Sequence, residues 1–416
     1  MISPDEARAF VLETLTALSP VQRPLGDALG SVVANDVRAT EPVPGFTNSS
    51  MDGYALRAAD TSSGPTRLRV TGTIFAGDAP SRRLEPGEAM RIMTGAPLPE
   101  GADSVSMIEE VDVENDGQIA FIRRTISQSE FVRHPGEDVA VGQVLLEAGT
   151  EFGPVHVGVL AGQGVSTVTV HPRPRVGVFS TGDELAGPGT ELAPGQIRDA
   201  NRPMLLALLR QSGFDGLDLG IVGDDQAATS SALRGALANC DAIITTGGVS
   251  VGDVDFVKTV LDDICDGRAR WMQVAMRPGK PFAFGVAEGA TPIFGLPGNP
   301  VSTRVSFEMF VRPALRRLAG QHTLLRPVIE AVADCSLARV RDGRLYLVHV
   351  VTRVHDDGRF HVHSGARHGS HLLSAVAEAN ALALVPDGEG LAIGDQVRIL
   401  LLDAGLIDPD VAAVAP

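Results

Sequence analysis

Aromatic residues and cysteines are both scarce in this sequence. Only 4% of its 416 residues are Phe, Trp or Tyr, so its cores must rely on Val, Leu and Ala. The cysteines, Cys240, Cys265 and Cys335, are odd in number and have no CxxC spacing. This pattern indicates reduced thiols, which serve as small core residues of a cytoplasmic protein.

Long apolar runs and an excess of basic residues are also missing. No uninterrupted run of about 18 apolar residues is available for a membrane span, and the start MISPDEARAF has no features of a secretory signal. Asp and Glu outnumber Lys and Arg by 51 to 35, which argues against a general nucleic-acid or anionic-membrane surface. An anionic substrate stays possible, because a divalent cation or a local basic pair can reverse the field inside one cleft.

The composition is that of a globular protein, with 44% apolar and 21% charged residues. The length predicts roughly two to four domains. Ser3, Pro4 and Glu6 predict the capped start of a helix. From about residue 48 to 133 short alternating strands follow, with Asp116-Gly117 as a hairpin signal.

Between residues 176 and 319 strand and helix patterns alternate. Strands are predicted at 176–180, 217–222, 242–245 and 292–296, separated by amphipathic helices. This alternation predicts a mostly parallel, doubly wound sheet. After Gly320 alternating strands return, which predicts a small β-barrel or sandwich.

Four loops follow the predicted strands of the α/β region, at 180–184, 223–225, 246–255 and 295–302. In an open α/β sheet ligands bind at the carboxyl ends of the strands. Glycines allow backbone N–H groups to approach a phosphate, and carboxylates beside a phosphate require a hard cation such as Mg²⁺. The four loops therefore predict a site for a phosphate-bearing small molecule and a divalent cation. Asp225 and Asp253 have an alternative interpretation as helix N-caps.

Two further motifs have a functional and an ordinary interpretation. Arg277 and Lys280 follow the strand-like WMQVAM and form either an anion site near the same edge or an exposed turn. The segment 248–252 matches G-x-S-x-G, which would make Ser250 the nucleophile of a serine hydrolase. Asp253 and Asp255 argue against that alternative, because their charge opposes a developing oxyanion.

Histidines cluster near the carboxyl terminus, at His361, His363, His368 and His371. Two of these four could reach one metal ion, but nothing in the sequence fixes the others. A solvated, unpaired cluster is the preferred interpretation.

Beyond these patterns, the sequence resembles the molybdopterin molybdenumtransferase family, which includes the E domain of gephyrin. The resemblance covers nearly the whole chain, and its motifs occur in the family's order. The matching motifs are SMDGYA at 50–55, TGAPLPEGA at 94–102, RHPGED at 133–138, STGDEL at 180–185, DANR at 199–202, GGVSVG at 247–252, GLPGNPVS at 295–302, SG at 364–365, LLS at 372–374 and ANAL at 379–382.

The resemblance implies a multidomain fold of α/β and β parts. An elongated discontinuous domain would comprise residues 1–47 and 134–172, with an inserted β-rich lobe at 48–133. A doubly wound α/β/α catalytic domain would span 173–319 and a β-barrel domain 320–416. The resemblance alone supplies the discontinuous domain.

The activity implied by the resemblance is that of a metal-dependent transferase in molybdenum cofactor biosynthesis. Adenylylated molybdopterin and molybdate would be substrates, AMP would be released, and Mg²⁺ would be the divalent cation. Asp224 and Asp255 would bind the metal. Glu184 would position substrate, and Asp52 and Asp138 would complete the site from the second subunit of a homodimer.

The resemblance also implies a set of substrate-binding residues. These are Thr94, Gly247, Gly248, Ser250, Arg277, Lys280, Pro297, Asn299, Pro300 and Ser302. The sequence departs from the family in Arg277, where Lys is common, and in Asp253, where Glu is common. A partner-binding scaffold of the same fold is the alternative function, since gephyrin also binds receptor peptides.

Overall fold

The chain is described by a computed structural model, which covers residues 1–80, 82–248, 256–287, 289–364 and 373–403. Its first helix, Pro4–Thr14, begins with the predicted capping box. The Glu6 N–H donates to Ser3 Oγ (3.1 Å), and the Ser3 N–H donates to the Glu6 carboxylate (2.7 Å). These two bonds satisfy N–H groups that the first helical turn leaves unpaired.

The inner face of this helix packs against residues that are distant in the sequence. Ala7 and Val11 are fully buried and belong to the core of the α/β domain. The Phe10 ring meets the Phe284 ring edge-on, with 5.9 Å between centroids. Ile2 adds backbone bonds, because its N–H donates to the Gln273 carbonyl at 3.0 Å. The helix is thereby joined to the α/β domain.

Segments from both sides of the inserted lobe form one further region. Its three-stranded sheet has the order Val21–Pro24, Thr167–His171, Val32–Val33. A second pair, Val37–Arg38 with Val144–Leu146, and the helix Pro154–Gly162 complete it. Strands from before and after the lobe therefore pair with each other, as expected for a domain that is discontinuous in sequence.

The inserted lobe contains a six-stranded sheet. Its strands, in spatial order, are Ser104–Met107, Gly53–Leu56, Glu88–Ile92, Thr66–Ile74, Ile119–Ile122 and Val111–Glu114. Asp116 and Gly117 form the predicted hairpin turn with positive φ angles of 51° and 88°. The short strands Asn48–Ser49 and Val132–Arg133 pair where the chain enters and leaves the lobe. The lobe also contains two 3-10 helices, Ala58–Thr61 and Ile108–Glu110.

The α/β domain has a second six-stranded sheet. Its strands are β1 (Arg175–Thr181), β2 (Asp215–Val222), β3 (Ala242–Thr246), β4 (Arg270–Gln273), β5 (Pro281–Val286) and β6 (Pro292–Leu296). The spatial order is β2-β1-β3-β6-β5-β4, with β2, β1, β3 and β6 parallel and β5 and β4 antiparallel. The predicted mostly parallel sheet is confirmed, with an antiparallel hairpin at one side.

Helices cover both faces of this sheet, as a doubly wound fold requires. Asn201–Gln211 and the C-terminal helical run pack on one face, and Gln226–Leu237 and Phe256–Ile264 pack on the other. The C-terminal run is Pro300–Ser306, a π-helical segment Phe307–Val311, and Arg312–Leu318. A small strand pair, Leu185–Ala186 with Ile197–Arg198, lies in the chain between β1 and the helix Asn201–Gln211.

The carboxyl-terminal region is a closed barrel. Its strands are β7 (Val328–Ala333), β8 (Leu345–Val354), β9 (Phe360–Ser364), β10 (Ala381–Val385) and β11 (Gln396–Leu401). They pair in the order β8-β9-β7-β11-β10, and β10 pairs back to β8, which closes the barrel. Met276–Arg277 pairs with β8, Leu337–Ala338 pairs with Gly390–Leu391, and Leu373–Val376 is a 3-10 helix. Among the described helices, none combines the length and apolar character that a membrane crossing needs.

Candidate active site

The carboxyl ends of the four parallel strands meet at one edge of the α/β sheet, which we call the carboxyl edge. The register aligns Thr181 at the end of β1 with Val222 at the end of β2. It likewise aligns Thr246 at the end of β3 with Leu296 at the end of β6. The four strand-end loops of the sequence prediction therefore leave the sheet side by side.

Gly247 is required by the close approach of two of these loops. Its φ is +94°, and a Cβ there would lie 2.5 Å from the Thr181 carbonyl oxygen. The Gly247 N–H donates to the Leu296 carbonyl at 3.3 Å, and Gly298 lies directly opposite Gly247. Gly248, also at positive φ (64°), is exposed. The structure therefore brings the predicted glycine loop and the GLPGNP loop together.

Buried hydroxyl and amide groups hold the Pro297 loop. The Thr246 hydroxyl donates to the Pro297 carbonyl (3.1 Å), and Thr303 Oγ1 donates to the same carbonyl (2.5 Å). Asn201 Nδ2 donates to Thr246 Oγ1 (2.8 Å) and to the Gly298 carbonyl (2.7 Å). The sequence patterns did not indicate Asn201, Thr246 and Thr303 as site residues, although the DANR motif contains Asn201.

The acidic loops after β1 and β2 are bonded to each other. The Asp224 N–H donates to Asp183 Oδ1 (3.0 Å), and the Asp183 N–H donates to Asp224 Oδ2 (3.4 Å). Asp183, Glu184 and Asp224 are exposed at the carboxyl edge. Asp225 accepts the Ala228 N–H at 2.6 Å and is the N-cap of Gln226–Leu237. The N-cap interpretation of Asp225 is therefore the correct one.

Part of the predicted site lies outside the described residues. Ser250, Asp253 and Asp255 fall in this part, so the assignment of Asp255 as a metal ligand stays a prediction. Asp224, its predicted companion ligand, is described and exposed.

The turn that carries Arg277 and Lys280 lies at the same carboxyl edge. It connects β4 to β5, and Ala283 of β5 pairs with Gly295 of β6, so the start of β5 lies beside the end of β6. Within the turn, a Cβ on Gly279 would lie 3.1 Å from Ser306 Oγ. This contact brings the turn against the helix that contains Pro300 and the buried Ser302, while Lys280 is exposed.

Arg277 is also oriented by the barrel. Its Nη1 donates to the Tyr346 hydroxyl at 3.0 Å, and its guanidinium lies 5.3 Å from the centre of that ring. Tyr346 is the second residue of β8, which pairs with the Arg277 backbone. A flexible lysine at this position would not make the same planar contact. The barrel thereby takes part in positioning one cation of the candidate site.

A further candidate carboxylate, Asp52, lies in the inserted lobe and is held by Thr94. Asp52 Oδ1 accepts both the Thr94 N–H (2.7 Å) and the Thr94 hydroxyl (2.8 Å). These bonds hold the pKa of Asp52 below its usual value, the backbone bond contributing most. Asp138 is exposed, and its N–H donates to the Val43 carbonyl at 3.0 Å. The described bonds of Asp52 and Asp138 stay within their own regions.

Three family models match this chain in sequence order. Residues 2–164 match "MoeA N-terminal region (domain I and II)", residues 177–317 match "Probable molybdopterin binding domain", and residues 331–402 match "MoeA C-terminal region (domain IV)". A molybdopterin molybdenumtransferase of Haemophilus influenzae is 38% identical over 96% of this chain and 98% of its own length. The chain belongs to the molybdopterin molybdenumtransferase family.

Two further relatives agree with this assignment. Molybdopterin molybdenumtransferase 2 of Mycobacterium tuberculosis is 40% identical over 96% of this chain and 99% of its own length. The crystal structure of the molybdopterin biosynthesis moeA protein of Pyrococcus horikosii superposes with a TM-score of 0.82. It is 29% identical and covers 97% of this chain and 100% of its own. In family terms, Asp52, Thr94 and Asp138 lie in the N-terminal region, whereas the carboxyl edge lies in the second matched domain.

Proposed function

We propose that this protein transfers molybdenum from molybdate to adenylylated molybdopterin and releases AMP. The observation that carries the proposal is full-length similarity to proteins named molybdopterin molybdenumtransferase. The carboxyl edge supports it chemically, because glycine loops, exposed carboxylates and two cationic side chains meet there. The relatives reported above carry the transferase name, and none of them is named as a scaffold or a hydrolase.

The residues at the carboxyl edge fit a magnesium ion. Carboxylate oxygens are the ligands that Mg²⁺ prefers, and Asp224 presents one at the end of β2. The reciprocal bonds with Asp183 fix the backbone on which Asp224 stands. We infer that Asp224 and Asp255 bind Mg²⁺, which would neutralise phosphate oxygens and stabilise the charge that leaves on AMP.

The remaining groups of the carboxyl edge have separable roles in this proposal. Arg277 and Lys280 attract molybdate or phosphate as anions, and Glu184 positions the substrate. The loop from Pro297 through Asn299 and Pro300 to Ser302 forms the pterin wall together with the glycine loop. Asn201 and Thr246 support this wall, because their hydrogen bonds are made to its backbone.

We infer further that the protein is a cytoplasmic homodimer and that each site is shared between subunits. Asp52 is exposed, and its carboxylate is already oriented and ionised by the two bonds from Thr94. An exposed, oriented carboxylate is suited to contact a substrate bound at the carboxyl edge of a second subunit. Asp138 has the same exposure and would join it there.

Mixed dimers test this proposal directly. Asp52→Ala and Asp224→Ala would each abolish AMP release from adenylylated molybdopterin in the presence of molybdate and Mg²⁺. If sites are shared, co-refolding equal amounts of the two inactive variants restores about a quarter of wild-type activity, because half of the dimers contain one intact site.

The control is the Asp224→Ala preparation refolded alone, which stays inactive. A mixture that shows dimers by ultracentrifugation but no recovered activity would contradict the shared site. A wild-type protein that releases no AMP and forms no molybdenum cofactor would contradict the proposed reaction itself.

A further inference from the structure

Four side chains on the outside of the barrel form a cluster that the transferase reaction does not use. We call Asp334, His355, His361 and His363 the barrel cluster. Sequence reasoning favoured a solvated, unpaired set of histidines, which is wrong for His361 and His363. Both lie against Asp334, at 2.7 Å and 3.4 Å respectively. His368 and His371 lie outside the described residues.

Strand register explains why these side chains meet. His361 and His363 are two residues apart on β9 and so point to the same face. In the parallel pairing of β7 with β9, Ala333 is opposite Val362, and the next residue on β7 is Asp334. Val362 is fully buried, so the residues that flank it face outward. Asp334 and both histidines therefore share the outer surface of the barrel.

His355 joins them from the end of β8. The backbone N–H of His355 donates to the Arg359 carbonyl (3.0 Å), and this bond closes the turn between β8 and β9. The His355 ring stacks on the His361 ring, with 4.0 Å between centroids and 9° between planes. Its Nε2 lies 3.7 Å from Asp334 Oδ2. Residues far apart in sequence, 334, 355 and 361, are thus brought to one point.

The ligand atoms of the barrel cluster are close enough together to bind one metal ion. Ligand atoms of Asp334, His355 and His361 all lie within 4.8 Å of one another. Around an ion with bonds of about 2.0–2.1 Å, tetrahedral ligands are separated by roughly 3.4 Å. His355 Nε2 and His363 Nε2 lie 3.7 Å and 3.4 Å from Asp334 Oδ2, close to this separation. The His355 and His361 rings, which are stacked and nearly parallel, must rotate out of their stack for a nitrogen of each to point at the same ion.

Asp357 supplies another feature of metal-binding histidines. It lies 3.2 Å from His361 Nε2, while His361 Nδ1 faces Asp334. A histidine that binds a metal through one ring nitrogen commonly donates the other ring N–H to a carboxylate, which fixes the ring. Asp357 is in position to accept this bond if Nδ1 binds the ion.

We propose that the barrel cluster binds one divalent transition-metal ion of the zinc type. Imidazole nitrogens with one carboxylate are typical ligands of Zn²⁺ and disfavour Mg²⁺ and Ca²⁺, which require oxygen. On binding, the ion takes the place of the proton between His361 and Asp334, and that proton is released to solvent. The bound ion joins the end of β7, the end of β8 and the strand β9. It is separate from the magnesium proposed at the carboxyl edge.

Zinc titration of the full-length protein tests the proposal. After treatment with EDTA and dialysis, calorimetry with Zn²⁺ in excess Mg²⁺ is expected to show a tight site that is lost in His361→Gln and His355→Gln. Asp357→Asn is expected to weaken this site by about 10- to 100-fold. His322→Gln, which changes an exposed histidine away from the cluster, is the matched control and is expected to bind like wild type.

Circular dichroism keeps the test independent of folding. His355 is 43% exposed at its side chain, so its substitution is expected to leave the spectrum unchanged. A folded His355→Gln protein that binds Zn²⁺ with wild-type affinity and stoichiometry would overturn the proposal. Absence of tight Zn²⁺ binding to the wild-type protein would overturn it as well.

Discussion

Asp183 and Asp224 each accept the backbone N–H of the other, at 3.0 Å and 3.4 Å. These bonds fix two acidic loops from neighbouring strands against each other. Carboxylates that lie side by side repel each other, and a cation between or beside them removes the repulsion. The pair therefore supports the proposal that the carboxyl edge binds a divalent ion.

Asp224→Asn is expected to lower molybdenum insertion while the fold stays intact. The amide keeps an oxygen that can accept the Asp183 N–H, but it lacks the charge that holds a cation. The rate of AMP release should fall by about 100-fold, a size typical of removing one electrostatic group from a catalytic site. Unchanged activity at all Mg²⁺ concentrations would show that Asp224 is not a metal ligand.

Asp225→Ala, at the neighbouring residue, is the matched control and should lower stability while leaving activity unchanged. Asp225 caps Gln226–Leu237 through its bond to the Ala228 N–H, so its loss should reduce the free energy of unfolding by about 1 kcal/mol. Insertion activity should stay close to wild type. Urea unfolding measures the loss, and Asp225→Ser should recover most of it because serine is also a good cap.

Thr94→Val should raise the pKa of Asp52 without returning it to the ordinary value. In the wild-type protein the backbone and hydroxyl bonds from Thr94 both lower this pKa, the backbone bond more strongly. The substitution removes the hydroxyl bond and keeps the backbone bond. Because the folded-state pKa is depressed, the stabilising bonds are present at neutral pH and are lost as pH falls through that pKa. Carboxyl NMR titration of the two proteins checks the shift. An identical Asp52 titration in both would contradict the assignment of the hydroxyl bond.

Gly247→Ala should perturb the site more than Gly213→Ala. Both glycines have positive φ, at 94° and 81°, which costs an alanine about 1–2 kcal/mol. A Cβ at Gly213 meets nothing within 4 Å, whereas one at Gly247 lies 2.5 Å from the Thr181 carbonyl. Gly247→Ala must therefore also move the loop. Urea unfolding and insertion rates of the two variants measure this difference, and equal losses would contradict it.

His349 should make the protein less stable in mild acid. It is buried in β8, and burial, with a contribution from Arg304, lowers its pKa to about 3. The unfolded chain binds a proton near pH 6.5 and the folded chain does not, so unfolding is favoured as pH falls from there toward 3. The slope is about 1.4 kcal/mol per pH unit. Urea unfolding of His349→Leu as a function of pH should show a shallower decline, and an unchanged slope would contradict this account.

The sequence predicted those features that depend on neighbouring residues. The capping box at Ser3 and Glu6, the hairpin at Asp116-Gly117 and the strands that end at the carboxyl edge all follow from local patterns. The strand pattern alone left a closed barrel and a sandwich open, because the pairing of β10 with β8 is set by packing between distant segments, and only the family resemblance predicted the barrel.

The same limit explains the site residues that were missed. Asn201 and Thr246 are 45 residues apart, and their bond exists only once the sheet brings β3 beside the helix. In the barrel cluster, Asp334 precedes His361 by 27 residues, and only the parallel pairing of β7 and β9 brings them together. Polar pairs of this kind have no periodicity along the chain, so no pattern of hydrophobicity predicts them.

The N-terminal helix has a consequence for biosynthesis of the protein. Val11 needs partners from the α/β domain, and the Leu18 N–H pairs with the Leu318 carbonyl at 2.8 Å. A ribosome makes Pro4–Thr14 first and these partners roughly 300 residues later, which at about 5–20 residues per second is a delay of at least 15 s. During this interval the helix leaves an apolar face uncovered, so nascent chains should recruit chaperones there until the α/β domain emerges.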